Sequence, residues 1–319
     1  MKRIYIVYNY WELLIAILLA YKNKEKDNIF LINTNEIEKS ILEKLETRYQ
    51  VEKFRFSPSK IQKFLLYYFR LYIYLPIRLK KYGQKIDVVT FSDQEIICRY
   101  FIKNKQNINL YEHGIVNYQK EFKGIIQKIK QVIFCMEKPY GRNEYVKNIF
   151  LKFPEKSPKD IEAKVKKLDI DKLINNLDFK SKDEILQIFN FNIKIREKNT
   201  ALLLTQPLEI KTCNEKEKKE IYQKIYDKYS KHYTVYIKPH PLEKTDYSFL
   251  TTKILNKSFP IELFLFDKLI PNKIITLFSS GCFSFMGKSD IDFLGTKEYE
   301  KIYKKRKIEP CFYKKGIKV

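Results

Sequence analysis

Short apolar runs recur along the first half of the chain, and stretches with helical spacing of apolar residues separate most of them. Residues 4–8, 29–32, 51–56, 87–91, 108–111 and 132–136 have strand length and are rich in Ile, Val, Leu and aromatics. Strands of this kind belong to a parallel sheet covered on both faces. Residues 10–21 read as a helix packed beside the first strand. Residues 64–81 combine aromatics, Leu, Arg and Lys, with Pro76 near the end. That mixture fits a buried helix with snorkelling cations, or a basic amphipathic helix lying on a membrane.

The pattern changes between Phe153 and about Thr200. Pro154, Ser157 and Pro158 interrupt it, and mixed charges run to Lys182. This reads as a connection carrying one or two exposed helices. The alternation then restarts. Residues 201–204 form a strand ending in Thr205-Gln206-Pro207, and 215–229 form a polar helix. Residues 234–237 form a strand that delivers Lys238-Pro239-His240-Pro241. A short helix over 261–266 follows Pro260, and a strand over 273–278 leads to Ser279-Ser280-Gly281. The expected divisions are 1–155, a connection over 156–199, 200–290, and a basic tail over 291–319.

Composition narrows the class. With 45% hydrophobic residues the chain is globular. Its net charge of +24 points to an anionic partner: a lipid surface, an acidic metabolite or nucleic acid. Nucleotide bias in the genome and solubility are the plain alternative. The five cysteines, 98, 135, 213, 282 and 311, show no ligand spacing, so reduced thiols are expected in place of disulfides or zinc. Asn9 and Glu12 interrupt the first apolar run, which argues against a signal peptide. No apolar stretch is long enough to span a bilayer. The expected location is cytoplasmic, peripheral to the inner membrane.

In open parallel sheets, ligands bind beyond the carboxyl ends of the strands. Glu112, Thr205, His240 and Ser279 are all expected there. Glu112 precedes His113 and Gly114, and the glycine allows close approach to a substrate. Its carboxylate suits a general base, or is an ordinary loop acid. His240, stiffened by two prolines, can hand a proton or a charge-assisted hydrogen bond to a departing phosphate. Otherwise it is a turn histidine satisfied by backbone carbonyls. Lys238 adds positive field or faces solvent. Ser279 and Ser280 form a phosphate cradle if a helix follows, or serve as ordinary caps. Thr205 and Gln206 line the same place. Glu262 suits a ribose diol, or a helix dipole. The strings Asp169-Ile170-Asp171 and Asp290-Ile291-Asp292 are read as chance triplets in a highly charged chain.

The order Glu112-His113-Gly114, Lys238-Pro239-His240-Pro241, Pro260-x-Glu262 and Ser279-Ser280 resembles the bacterial sialyltransferases of glycosyltransferase family 52, and the related polysialyltransferases. The resemblance runs from about Asp87 to Ser284. It implies an α/β fold of GT-B type, with two Rossmann-like domains whose parallel sheets face a central cleft. Residues 1–155 would then be the acceptor side and 200–290 the nucleotide-sugar side. It implies an inverting, metal-independent transfer of sialic acid from CMP-sialic acid to a lipooligosaccharide or capsule glycan ending in galactose. Glu112 matches the base, His240 the acid, Glu262 the ribose ligand, and Ser279 and Ser280 the phosphate ligands. Lys238, Pro241, Thr205 and Gln206 fall beside the donor, with His113 and Gly114 as accessories. The chain departs from the family pattern at His113, where a second acid is usual.

Expected partners are therefore the donor, the glycan and anionic inner-leaflet lipid, with residues 301–318 as the anchor. Oligomeric state stays open, a homodimer included. A GT-B enzyme with a UDP-hexose donor is the alternative. A basic nucleic-acid-binding protein is the less favoured one, because no RRM, zinc-finger or Arg/Gly-rich signature occurs.

Overall fold

The structure is a computed structural model, and it describes residues 2–23, 27–55, 66, 69–83, 86–118, 138–193, 195, 197–210, 212–266 and 269–315. Two compact units divide between Ser181 and Lys182.

The first unit carries a seven-stranded sheet. Its strands are β1 (Lys2–Val7), β2 (Asn28–Asn33), β3 (Gln50–Phe54), β4 (Ile86–Thr90), β5 (Asn107–Tyr111), β6 (Val146–Leu151) and β7 (Val165–Lys167). They lie in the order β3-β2-β1-β4-β5-β6-β7, and every pairing is parallel. Helix α1 (Tyr10–Lys22) begins at Asn9, whose extended backbone leaves its side chain free to accept the Glu12 amide at 3.0 Å. Residues 13–20 of this helix are all buried, so it is apolar nearly all round. α2 (Lys39–Glu46) and α3 (Ile96–Lys103) are amphipathic, burying Ile41, Leu42 and Leu45 in one and Ile97 and Phe101 in the other. α4 (Ile170–Asn175), capped by Asp169, packs against α1.

The second unit carries β8 (Thr200–Leu204), β9 (Thr234–Lys238), β10 (Lys273–Thr276), β11 (Asp290–Phe293) and β12 (Cys311–Tyr313) in the order β12-β11-β10-β8-β9. All its pairings are parallel except that of β12 with β11. α5 (Glu215–Ser230) starts in a capping box of Asn214 and Glu217, and it turns Tyr222, Ile225 and Tyr229 into the core.

Several expected boundaries move. Residues 156–181, read as connection, belong to the first unit, because β7 pairs with β6 and α4 packs on α1. Residues 291–319, read as a tail, supply most of β11 and the edge strand β12 through residue 313. Neither β7 nor β12, at three residues each, has an apolar run of its own; pairing with a neighbour makes each a strand. β6 alternates buried and exposed positions in part, which hid it among charged neighbours. The strand expected over 132–136 lies outside the described residues, as does Cys135. Among the described residues none of the other four cysteines is in a disulfide. Asp292 sits on β11 and accepts from Tyr229 Oη (2.6 Å) and Lys273 Nζ (2.9 Å), so it fastens the sheet. In the segment read as a basic helix, three successive helical turns, Arg70–Tyr74, Leu75–Leu79 and Lys80–Tyr82, bury Leu71, Leu75 and Leu79. They leave Ile73 and Ile77 exposed. Among the described residues no helix is long and apolar enough to cross a membrane.

Gly295, between β11 and the Ile308–Pro310 backbone, has φ +66°, and a Cβ there would lie 2.5 Å from Ile308 O. Gly295→Ala is expected to cost about 1–3 kcal/mol of stability from backbone conformation alone. Equilibrium denaturation measures it, and an unchanged midpoint would mean that this crossing is not made in solution.

Candidate active site

Each sheet reverses its strand order once, and each reversal opens a crevice at the carboxyl ends of two parallel strands. In the first unit it falls between β1 and β4. β1 leads to Tyr8 and Glu12, β4 to Asp93 and Glu95, and the adjacent β5 to Glu112 and His113. Glu12 is 1% exposed, although it sits on the most apolar helix of the chain. One carboxylate oxygen accepts the Tyr8 amide at 2.6 Å, and the other lies 2.6 Å from Nδ1 of His113. The His113 amide donates to Asn117 Oδ1 at 2.7 Å. The His113 side chain is 42% exposed. Its hydrogen bond to Glu12 pulls its pKa above the ordinary 6.5, against the opposing effect of burial, and Glu95 and Glu36 add to the rise. Burial pushes the carboxyl of Glu95 up, reinforced by the Glu12 charge.

Glu112 is buried, and one of its carboxylate oxygens, Oε2, takes two hydrogen bonds. It accepts from the Tyr118 hydroxyl and from the Lys152 amide at 2.7 Å. Its carbonyl accepts from Trp11 Nε1 at 3.2 Å. It therefore ties β5 to the chain beyond β6. Gly114, at φ +139°, turns the chain directly after His113, where a side chain would be strained.

In the second unit the reversal lies between β8 and β10. Thr205 follows β8, Ser279 and Ser280 follow β10, and His240 follows β9, so all four occupy the carboxyl edge of one sheet. Nδ1 of His240 accepts the Leu242 amide at 3.2 Å, which leaves the ring proton on Nε2. Burial lowers the His240 pKa, and Lys238 and Lys218 lower it further. Lys238 does not face solvent. Its ammonium donates to Pro239 O (3.2 Å) and Lys257 O (3.1 Å) and sits 4.5 Å from the Phe259 ring. Burial brings its pKa down to about 7, opposed by Glu262. Glu262 is itself buried and accepts from Ser284 Oγ at 2.7 Å. Gly281 lets the turn over Ser280–Phe285 approach the turn over Ile261–Leu265, since a Cβ would press on Ile261 at 3.2 Å. A six-residue 3-10 helix, not an α-helix, thus follows Ser279. The Ser279 amide donates to Thr276 Oγ1.

Beneath His240 lies a network absent from the sequence reading. Glu243, 2% exposed, accepts from Lys218, from Tyr247 Oη (3.0 Å) and from Thr205 Oγ1 (3.2 Å), and its amide donates to His240 O (2.8 Å). Lys218 also meets Glu209 at 2.6 Å. The Gln206 amide donates to Tyr222 Oη at 2.6 Å. Thr205, Gln206 and His240 are thus joined through buried groups of one unit. Glu243 sits three residues beyond His240, and its signal was a carboxylate directly after the Pro-His-Pro turn. Lys218 was hidden on a helix that reads as polar.

The family model described as Glycosyltransferase family 52 matches residues 25–297. An uncharacterised protein of Haemophilus influenzae is 33% identical over 234 residues, 71% of this chain and 74% of that one. A crystal structure of the GT-B domain of a sialyltransferase from Photobacterium damselae has TM-score 0.57 at 10% identity, covering 91% of this chain and 89% of that one. A UDP-GlcNAc 2-epimerase from Methanocaldococcus jannaschii, solved with UDP-GlcNAc and UDP, has TM-score 0.54 at 15% identity, covering 88% and 80%. At these identities the two structures share the fold with this chain, which is GT-B.

Burial works against ionisation of Glu243, but Lys218 holds its carboxyl below the ordinary 4.5. The unfolded chain therefore takes up this proton first. The resulting stability is complete above about pH 4.5 and is lost as pH falls through the lower folded value. Lys218→Met, which strands the buried carboxylate, is expected to cost about 3–5 kcal/mol in chemical denaturation. Adding Glu243→Gln should return part of that loss and flatten the acid dependence. A Lys218→Met protein as stable as the parent would remove the network from its supporting role.

Proposed function

The chain belongs to glycosyltransferase family 52, and on that footing we propose that it moves sialic acid from CMP-sialic acid to the terminal sugar of a cell-surface glycan. The acceptor class is a galactose-terminated lipooligosaccharide or capsule, and the transfer inverts the anomeric centre without a metal. The observation that carries this reading is the His240 ring, with its Nε2–H kept as a donor on the same sheet edge as Ser279 and Ser280.

The acceptor hydroxyl attacks the anomeric carbon, and the bond from that carbon to the CMP phosphate oxygen breaks. The electron pair leaves with the phosphate, and the hydroxyl proton passes to a base. His240 steadies the departing oxygen through Nε2, and Ser279 and Ser280 hold other phosphate oxygens. A depressed pKa leaves His240 able to donate while neutral, and an arriving phosphate raises its proton affinity. Thr205, Gln206 and Pro241 shape the donor edge. Glu262 serves the cytidine ribose, with Lys238 supporting from below. The base comes from the Glu112-His113-Gly114 turn, where Glu112 occupies the family's position.

We also infer that the enzyme works at the anionic face of the inner membrane. Phe69, Tyr72, Ile73 and Ile77 are 44–76% exposed at helical spacing, and Arg70 and Lys80 lie in the same segment. The C-terminal strand adds the exposed Phe312.

The purified chain is expected to release CMP from CMP-sialic acid, and His240→Ala to lower transfer by about 100-fold. Release of UDP from UDP-sugars, with CMP-sialic acid untouched, would reject the donor. Replacing Ile73 and Ile77 by Ser should weaken binding to phosphatidylglycerol vesicles at low salt by about tenfold per residue. Undiminished binding by that variant would place the contact elsewhere.

A further inference from the structure

We propose that His113, oriented by the buried carboxylate of Glu12, is the group that takes the acceptor proton, and that Glu112 is a positioning residue. This rests on the transfer reaction inferred above and assigns its base.

The two candidates are adjacent in sequence and opposite in environment. The Glu112 carboxylate is buried and already accepts from Tyr118 and from the Lys152 amide. Taking up a proton there would weaken bonds that hold β5 to the chain after β6. His113 is 42% exposed, so a hydroxyl can reach it. Its Nδ1 is 2.6 Å from Glu12 Oε1. A carboxylate can only accept, so the Nδ1 proton is donated to it, and the neutral ring presents its lone pair on Nε2. This is how a carboxylate fixes the tautomer of a histidine base in hydrolytic triads.

Glu12 is equally well placed for that task. It is 1% exposed, its second oxygen holds the Tyr8 amide, and its own amide is capped by Asn9. Asn117 fixes the His113 backbone from the other side. A glutamate in the most apolar helix of the molecule is costly unless it has such partners. Three carboxylates raise the ring's proton affinity: Glu12 from α1, in direct contact, and Glu95 from the start of α3 and Glu36 from the chain before α2 through their charge. Their field favours the imidazolium that forms when the proton arrives. In the step itself, the acceptor oxygen gives its proton to Nε2 as it bonds to the anomeric carbon, and the leaving phosphate takes the electron pair of the broken bond.

Two measurements test the assignment. The first follows the three histidine rings by NMR of the whole protein, with His113 identified through His113→Gln. The expected result is an Nδ1-protonated neutral ring that titrates above 6.5 and moves down in Glu12→Gln. A neutral ring protonated on Nε2, or no response to Glu12→Gln, would overturn the dyad. The second measures kcat/KM for transfer against pH. The parent should show an acid limb, because the base must lose its proton. His113→Gln should lose at least about 100-fold and that limb with it, and Glu12→Gln should move the limb to lower pH. Glu112→Gln should keep the limb. A limb that survives in His113→Gln, or vanishes only in Glu112→Gln, would return the role to Glu112. If no CMP-sialic acid is consumed by the parent, the donor reading fails, and the NMR result alone then decides the dyad.

Discussion

Buried carboxylates must be given donors, and in this chain meeting that demand shapes the loops that carry the chemistry. Glu12 gathers the Tyr8 amide and the His113 ring. Glu112 gathers Tyr118 and the Lys152 amide. Asp93 gathers the amides of Tyr140 and Gly141. Glu243 gathers Lys218, Tyr247 and Thr205, and Glu262 gathers Ser284. All of these but Glu262 follow closely on the carboxyl end of a parallel strand, where the backbone leaves regular pairing. A loop there has unspent amides, and a buried carboxylate consumes several at once. Each bond made to it is charge-assisted and stronger than a neutral one. The loops are therefore fixed from beneath, while the histidines above them stay reachable.

The two histidines are held by the same kind of contact with opposite polarity. Nδ1 of His113 faces an acceptor, so its Nε2 is left to receive a proton. Nδ1 of His240 faces a donor, so its Nε2 is left to give one. Their surroundings push their proton affinities apart, upward for His113 beside the Glu12 carboxylate and downward for His240 through its burial and the nearby ammonium groups. Divergent environments for two titratable groups are what a reaction with one proton taken and one negative charge released requires. A single displacement at an anomeric carbon is such a reaction.

Much of the frame was legible because parallel strands buried on both faces announce themselves as apolar runs. β1, β2, β4, β5, β8 and β9 were placed within a residue or two, and with them the strand ends that carry Glu112, Thr205 and His240. β7 and β12 were illegible because three residues carry no period, and only pairing defines them. Glu12 was visible as a fault in an apolar run and was used to argue against a signal peptide. Its partner is 101 residues away, so nothing local could say what the fault was for. His113 looked like a defect for the same reason. Judged against a two-acid motif it is a missing carboxylate; judged against Glu12 it is half of a pair. Lys238 was misjudged because a lysine at a strand end usually reaches solvent, whereas here two carbonyls and the Phe259 ring draw it inward.

Ionised groups of both signs are drawn inward. Among the described residues Glu12, Asp93, Glu112, Glu243 and Glu262 are buried, and so are Arg99, Lys218, Lys238 and Lys273. The two sets nearly cancel, so burial leaves the formal charge of +24 almost unchanged. On the function proposed above, this charge would draw an anionic nucleotide sugar and an anionic bilayer by the same long-range force, and salt would weaken both together. The apolar residues at 69–77 act only at contact and are insensitive to salt. Under the membrane reading proposed above, approach and retention are separable: charge would govern how often the enzyme reaches the surface, and buried apolar area how long it stays. An enzyme whose donor is soluble and whose acceptor is anchored needs both, because only the acceptor requires it to remain.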